Sequence, residues 1–421
     1  MTYKAFLFLI LWIGSILLRE YALFSSVDEL LALFILGVGI YNGALKSKTF
    51  VIVSVYFSVQ LIYSLFLSYN LPIAIFQDFF MIARPYILVI IIGNGYFKLN
   101  LKDQAKILKY LYVLMFFLFI NVVLTLIMGR SGTHAQSFAI YERNFSLAAV
   151  VYVVGLLILV LKKDYYFKKW DFPKILIFIS LLCLIPLVRQ GKYYGVIACF
   201  FASYFYASYI FPRYFDKEAM VRSFTKILSV FFAIFMIVGV FFLAQDKIEL
   251  YYITDNENVA RAMMVKALPQ ALEGNYFWLG RGFASYCTPI TGKYYPPLLY
   301  ELGLSSVFGL APGAAYFIAD AYFASWIAQT GFVGIVMYIF LMIYIIKPFY
   351  LLIKHKKMPG RILHLFIALF SWILIFSFGS GGMFGIGSFI MIILGFLRWR
   401  AVCLLNNHHD LKKEKTSHDI S

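Results

Sequence analysis

The residues of this sequence that could do chemistry are a handful of cations and carboxylates set between long apolar runs. Arg189 and Lys192 share the turn Arg189-Gln190-Gly191-Lys192-Tyr193-Tyr194-Gly195. Arg261 closes Asn258-Val259-Ala260-Arg261, and Arg281 sits inside Leu279-Gly280-Arg281-Gly282-Phe283. Arg143 lies in the segment 130–144, and Glu301 follows Tyr300. Asp320 stands at the edge of an apolar run, between Phe317-Ile318-Ala319 and Ala321-Tyr322-Phe323. A guanidinium offers a planar fork of donors suited to phosphate oxygens. A carboxylate held at an apolar edge is costly unless it is paired or functional, and it is suited to accepting a proton. Each has a plainer reading as well. Arg189 and Lys192 could snorkel to lipid headgroups, Arg261 could face solvent from a helix, and Asp320 could be a helix N-cap.

The elements that must position these groups are apolar. Of 421 residues, 62% are hydrophobic, 20% are aromatic and 14% are charged, whereas soluble domains carry about 25% charged residues. This excludes a soluble α/β enzyme. Twelve runs approach the length needed to cross a bilayer: 5–18, 30–44, 49–67, 79–97, 107–128, 145–161, 174–188, 193–211, 226–243, 317–346, 362–378 and 383–399. They lack the alternation of barrel strands, so the expected fold is an all-α polytopic membrane bundle. The N-terminal run has no small-residue cleavage site and reads as a retained first span. Cys183, Cys199, Cys287 and Cys403 show no paired spacing, so neither a disulfide framework nor a zinc site is expected. Asp28-Glu29, or Asp255 with Glu257, could offer oxygen ligands to a divalent cation. Asp28-Glu29 reads rather as the acidic first turn of the second helix, and no metal and no cofactor are expected.

Most of the 37 lysines and arginines cluster at Lys46 and Lys48, Lys98 to Lys109, Lys162 to Lys174, Arg213 to Lys226, Lys347 to Arg361 and the C-terminal tail. Placing both ends in the cytoplasm puts all of these on one side. The net charge of +17 is then explained by topology and anionic lipid, without nucleic acid. The organisation expected is helices one to nine over 1–243, one large outer loop over 244–316, helices ten to twelve over 317–400 and a tail over 401–421. His408-His409 in that tail reads as a solvated end. Within the loop, 259–272 is amphipathic enough for a helix lying along the surface. Arg143, Arg189, Lys192, Arg261, Arg281, Glu301 and Asp320 all fall on the outer side. An anion met there by cations would be a lipid phosphate or diphosphate.

Three features resemble the bacterial O-antigen polymerase and O-antigen ligase superfamily of inner-membrane proteins. One is the twelve-span plan with a large outer loop late in the chain. Another is Asn258-x-x-Arg261, then Ala267-Leu268, then Leu279-Gly280-Arg281-Gly282-Phe283, similar to the superfamily's loop arginine followed by a glycine-aromatic turn. The third is Gly331-x-x-Gly334 with Asp320 eleven residues before Gly331, at the spacing where ligases of the family carry a histidine. The basic turn falls where the family has an arginine before an apolar helix, and either Arg189 or Lys192 could match it.

The resemblance implies a GT-C-like helical bundle and an inverting glycosyltransferase of the periplasmic face. Undecaprenyl-diphosphate-linked oligosaccharides would be substrates for O-antigen, lipopolysaccharide or exopolysaccharide assembly. Membrane lipids, a chain-length regulator and a flippase are the implied partners. Aspartate in place of histidine points to the polymerase side, with ligase and flippase as alternatives. In that scheme Arg189, Arg261 and Asp320 are catalytic, Asp320 being the base. Lys192, Arg281, Arg143, Glu301 and Tyr300 bind substrate.

Overall fold

The structure, a computed structural model, describes residues 1–17, 27–129, 144–162, 172–187, 259–355, 358–379, 381–384 and 386–418. Seven helices come first: α1 (Tyr3–Leu17), α2 (Val27–Tyr41), α3 (Lys48–Leu67), α4 (Pro72–Gly93), α5 (Leu101–Ile127), α6 (Asn144–Leu161) and α7 (Phe172–Leu187). Five short helices follow: α8 (Ala260–Lys266), α9 (Leu268–Ala271), α10 (Tyr276–Leu279), α11 (Pro289–Lys293) and α12 (Pro297–Glu301). The last three are α13 (Tyr322–Lys354), α14 (Gly360–Gly379) and α15 (Gly387–His418). Among the described residues there is no strand. Among the described residues five helices, α3, α4, α5, α13 and α15, are long and apolar enough to cross a membrane, and α1, α6, α7 and α14 carry shorter apolar stretches. The expected spans 193–211 and 226–243 lie outside the described residues, as do Arg143, Arg189 and Lys192.

Local signals set the helix starts. Ser47 caps α3 by accepting from the Phe50 amide, and Asn100 caps α5 by accepting from the Asp103 amide at 2.7 Å. Proline at the first position opens α4 at Pro72, where its missing N–H leaves no donor unpaired. This corrects the expected run 79–97: the helix begins seven residues earlier, and Asp78 is a buried position inside it, not part of a loop. The expected surface helix over 259–272 is instead two short helices, α8 and α9, with Pro269 in the first turn of the second. The run expected at 317–346 starts at Tyr322, and its helix breaks at Gly331 (φ 63°, ψ −159°).

Helix α4 is the centre of the bundle, packed most extensively by α15 and also by α2 and α3. Glycines allow the close approach. A methyl group on Gly39 would sit 2.5 Å from the Ile91 side chain, and one on Gly395 would sit 2.8 Å from Cβ of Ile92. Where α4 ends, Arg398 of α15 donates to the carbonyls of Gly93 (2.6 Å) and Tyr344 (3.1 Å) and stacks over the Tyr344 ring at 3.7 Å. That arginine therefore satisfies a helix terminus. Halfway along α4, Arg84 pairs with Asp28 of α2 at 2.8 Å and donates to Ser388 of α15 at 2.8 Å. Asp28 thus opens α2 with its acidic first turn, as expected, but its carboxylate is spent on a buried partner. A second charge lies inside α4 at Asp78, so the helix interiors are less free of charge than the apolar runs suggest.

Candidate functional site

The site is built on the break in α13. At Gly331 the helix loses the amides that would pair with its preceding carbonyls, and a helix end in an apolar setting must find other donors. The loop supplies them. The Arg281 amide donates to the Ala328 carbonyl at 2.8 Å, and the Gly282 amide donates to the Gln329 carbonyl at 3.0 Å. Gln60 of α3 donates through one nitrogen to the carbonyls of Leu279 and Gln329, each at 2.8 Å. Two glycines make the approach possible. A Cβ on Gly280 would lie 2.4 Å from the Gln329 carbonyl carbon, and one on Gly331 would lie 2.5 Å from the Gly280 nitrogen. Both have positive φ with ψ near −160°, a region open essentially to glycine alone. The motif Leu279-Gly280-Arg281-Gly282-Phe283 and Gly331 are thus two halves of one joint.

Polar side chains of α3, of α4 and of the residues between them hold the rest of the loop. Ser64 accepts from the Phe283 amide at 2.8 Å, and Asp78 accepts from the Ala284 amide at 2.7 Å. Asn70 donates to the carbonyls of Ala284 (2.9 Å) and Tyr294 (2.6 Å). Inside the loop, Thr288 and Thr291 form a capping box at the start of α11. Gln329 donates to the Tyr286 carbonyl at 2.9 Å, and Ser325 donates to the Cys287 carbonyl at 2.5 Å. Burial pushes the Cys287 thiol well above its ordinary range. The loop has its own small core, in which Met264, Ala271, Tyr286, Leu298, Leu299 and Leu304 are buried.

Arg261 and Asp320 meet at the edge of this core. Helix α8 buries Ala260, Arg261, Ala262 and Met264, so Arg261 does not lie on a solvated face. Its Nη2 reaches Oδ2 of Asp320 at 3.1 Å, and its Nε donates to the Asp320 carbonyl at 3.1 Å. The arginine side chain is 9% exposed and the aspartate side chain 40% exposed. The N-cap of α13 is Ala321, with no side-chain cap. Asp320 precedes that cap, and its carboxylate turns to Arg261 instead of to the helix amides. The arrangement is a buried cation fixed at two points beside a carboxylate that solvent can reach, at the mouth of an apolar helix. Such a pair can bind an oxyanion and accept a proton within one small volume.

The remaining candidates stand apart from this pair. Arg281 donates to the Ala271 carbonyl and to the Tyr69 hydroxyl, each at 2.7 Å, and its guanidinium lies 3.5 Å from the centre of the Tyr276 ring. This is a cation–π clamp that ties α9, α10 and the end of α3 together. Burial, with the hydrogen bond that Tyr69 donates to the Tyr276 hydroxyl acting in the same direction, holds the Tyr69 phenol above its ordinary value. Glu301 is exposed at the end of α12. Tyr300 is exposed beside it, its ring edge-on to Tyr295 at 5.0 Å. Among the described residues, no group of three or more His, Cys, Asp or Glu is placed to hold a metal ion.

Gln60, Ser64, Tyr69, Asn70 and Asp78 are not among the residues that the sequence alone singles out for chemistry. A signal for the first two is present: Tyr56, Gln60 and Ser64 recur every fourth residue along the run 49–67, one polar stripe on one helix face. The chain matches no protein-family model and no curated protein.

Proposed function

We propose that this chain is a membrane-embedded glycosyltransferase that polymerises undecaprenyl-diphosphate-linked oligosaccharide repeat units at the periplasmic face. The observation that carries the reading is the contact between Arg261 and Asp320, a buried cation and a solvent-accessible carboxylate brought together from distant parts of the chain. Both ends of the chain would lie in the cytoplasm, twelve helices would cross the membrane, and the loop 244–316 would face outward.

In this scheme the acceptor hydroxyl of one lipid-linked unit attacks the anomeric carbon of another. The new bond joins that hydroxyl oxygen to the anomeric carbon. The bond to the diphosphate breaks, and undecaprenyl diphosphate departs with the electron pair. Asp320 takes the proton of the hydroxyl, with Oδ1 the available atom because Oδ2 engages Arg261. Arg261 stabilises the charge growing on the diphosphate, aided by Arg189 and Lys192 of the short basic turn. The attack is in line and inverts the anomeric centre. Arg281 belongs to the scaffold of the site, since its donors and its ring face are already engaged.

A second reading is a carrier for the lipid-linked unit. It is favoured by the buried Asp28–Arg84 pair, because charge inside a spanning helix marks transport pathways.

A deletion strain separates the readings. A polymerase mutant displays a single repeat unit on its final acceptor, and Asp320→Asn or Arg261→Gln fails to restore the ladder at equal protein level. Removal of one well-placed charge-stabilising group costs on the order of 10²–10³ in rate. Long polymer trapped on undecaprenyl diphosphate means a ligase, and units trapped on the cytoplasmic leaflet mean a carrier. A normal ladder with either variant refutes the catalytic pair.

A further inference from the structure

Three aromatic side chains at the joint are exposed where a water-facing loop would hide them. Phe277 is 46% exposed, Trp278 59% and Phe332 42%. They are packed on one another: Phe277 stacks on Phe332 at 5.8 Å, and Trp278 meets Phe332 edge-on at 5.6 Å. Two come from α10 and one from the first residue after the break in α13.

What continues from this cluster says what covers it. Down α13 from Phe332, the exposed residues Val336, Ile339 and Ile343 recur at every third or fourth position, and Lys347 and Tyr350 follow them toward the far end. Helix α3, whose upper half holds the joint through Gln60 and Ser64, has the same pattern in Val55, Val59, Ile62 and Phe66. A predominantly apolar exposed stripe on a helix long enough to cross a bilayer is a lipid-facing surface. Below the break, 332–354 rises about 34 Å at about 1.5 Å per residue, close to the roughly 30 Å of a hydrocarbon core. Lys347 and Lys354 stand toward its far end. The aromatic cluster closes the near end, and its Trp278 is of the residue type that concentrates at the membrane–water interface.

We infer that Phe277, Trp278 and Phe332 form a collar seated in the headgroup region of the outer leaflet, with bilayer lipid as the partner. The break at Gly331 then lies at the membrane boundary. The first part of α13, Tyr322–Thr330, doubles back beside the second, with Trp326 donating to the Gly334 carbonyl at 3.0 Å and Phe323 edge-on to Tyr338 at 5.4 Å. The collar fixes the height at which the loop meets a lipid-borne substrate. This inference rests on the helices crossing a bilayer and not on glycosyl transfer, so the two can fail separately.

The test uses the full chain reconstituted in phosphatidylcholine vesicles, with the emission lost in Trp278→Phe taken as the Trp278 signal. Phe332→Trp in that variant provides a second probe. Lipids brominated near the headgroup should quench both probes most, lipids brominated deep in the chain less, and aqueous iodide little. Strong iodide quenching without bromolipid quenching overturns the inference, as does protection from iodide by soluble oligosaccharide, which would make the cluster a sugar platform. Strongest quenching by deep bromines also overturns it.

Discussion

Alanine at Gly280 tests whether the loop and the broken helix are one joint. The added methyl would lie 2.4 Å from the Gln329 carbonyl carbon and 2.6 Å from both its oxygen and the Thr330 nitrogen. All three are backbone atoms, so no side chain can swing aside. The backbone at Gly280, φ 70° and ψ −163°, adds strain of about 1–3 kcal/mol for any residue with a Cβ. Overpacking adds roughly another 1–3 kcal/mol. The sum, about 2–6 kcal/mol, is a large part of the roughly 5–15 kcal/mol that holds a typical domain folded. Gly274 is the control, since its φ is 65° but a Cβ there would meet nothing within 4 Å. Hydrogen exchange should show amides 280–284 and 331–334 losing protection in Gly280→Ala and keeping it in Gly274→Ala. Because Gly331 faces Gly280, Gly280→Ala and Gly331→Ala together should cost less than the sum of their separate effects. If Gly280→Ala exchanges and melts like the parent protein, the joint as drawn is wrong.

Three further outcomes are expected. Gln60→Ala leaves the Leu279 carbonyl without its donor and the Gln329 carbonyl with one donor in place of two, and should lower stability by about 1–3 kcal/mol, read as a lower melting temperature in detergent. Arg84→Ala strands the Asp28 carboxylate in the bundle and should cost about 3–5 kcal/mol, whereas Arg84→Met with Asp28→Leu should be far milder; equal losses in the two would contradict a paired, buried charge. Maleimide at mildly alkaline pH should label Cys287 only after denaturation, because burial keeps its thiol protonated and the thiolate is the reactive form. Rapid labelling of the folded chain, traced by its loss in Cys287→Ala, would refute that burial.

Charge in an apolar setting was the most legible feature of the sequence. Asp320 stands out because a carboxylate at an apolar edge needs a partner or a role, and the structure pairs it with Arg261, whose spacing alone equally allows a solvated face. The helical character was equally plain, since runs of this length leave the backbone few other ways to satisfy itself. Partners far along the chain were not legible. Gly280 reads locally as permissive backbone, but that it opposes Gly331 depends on how α3 and α13 pack. Gln60 and its acceptor at Gln329 are 269 positions apart, a separation at which no periodicity carries information. Asp78 was misplaced for a smaller reason. The apolar run begins only at residue 79, whereas the helix begins at Pro72, and proline at a first helical position is itself a start signal.

The joint at Gly331 also bears on how the protein is made. Its parts leave the ribosome at widely separated times: Gln60, Ser64 and Asp78 early, the glycine turn much later, and the broken helix last. Until Tyr322–Lys354 is synthesised, Gln60 lacks its acceptor at Gln329, and the turn at Gly280 has nothing to enter. The seat of Arg84 waits still longer, for Ser388 of the final helix. Assembly is therefore compelled to be late, and a nascent chain stopped before residue 387 would hold Arg84 beside Asp28 without the hydroxyl that completes their setting. Such a chain would carry its recognisable defect at the middle of α4, far from the point where translation ended.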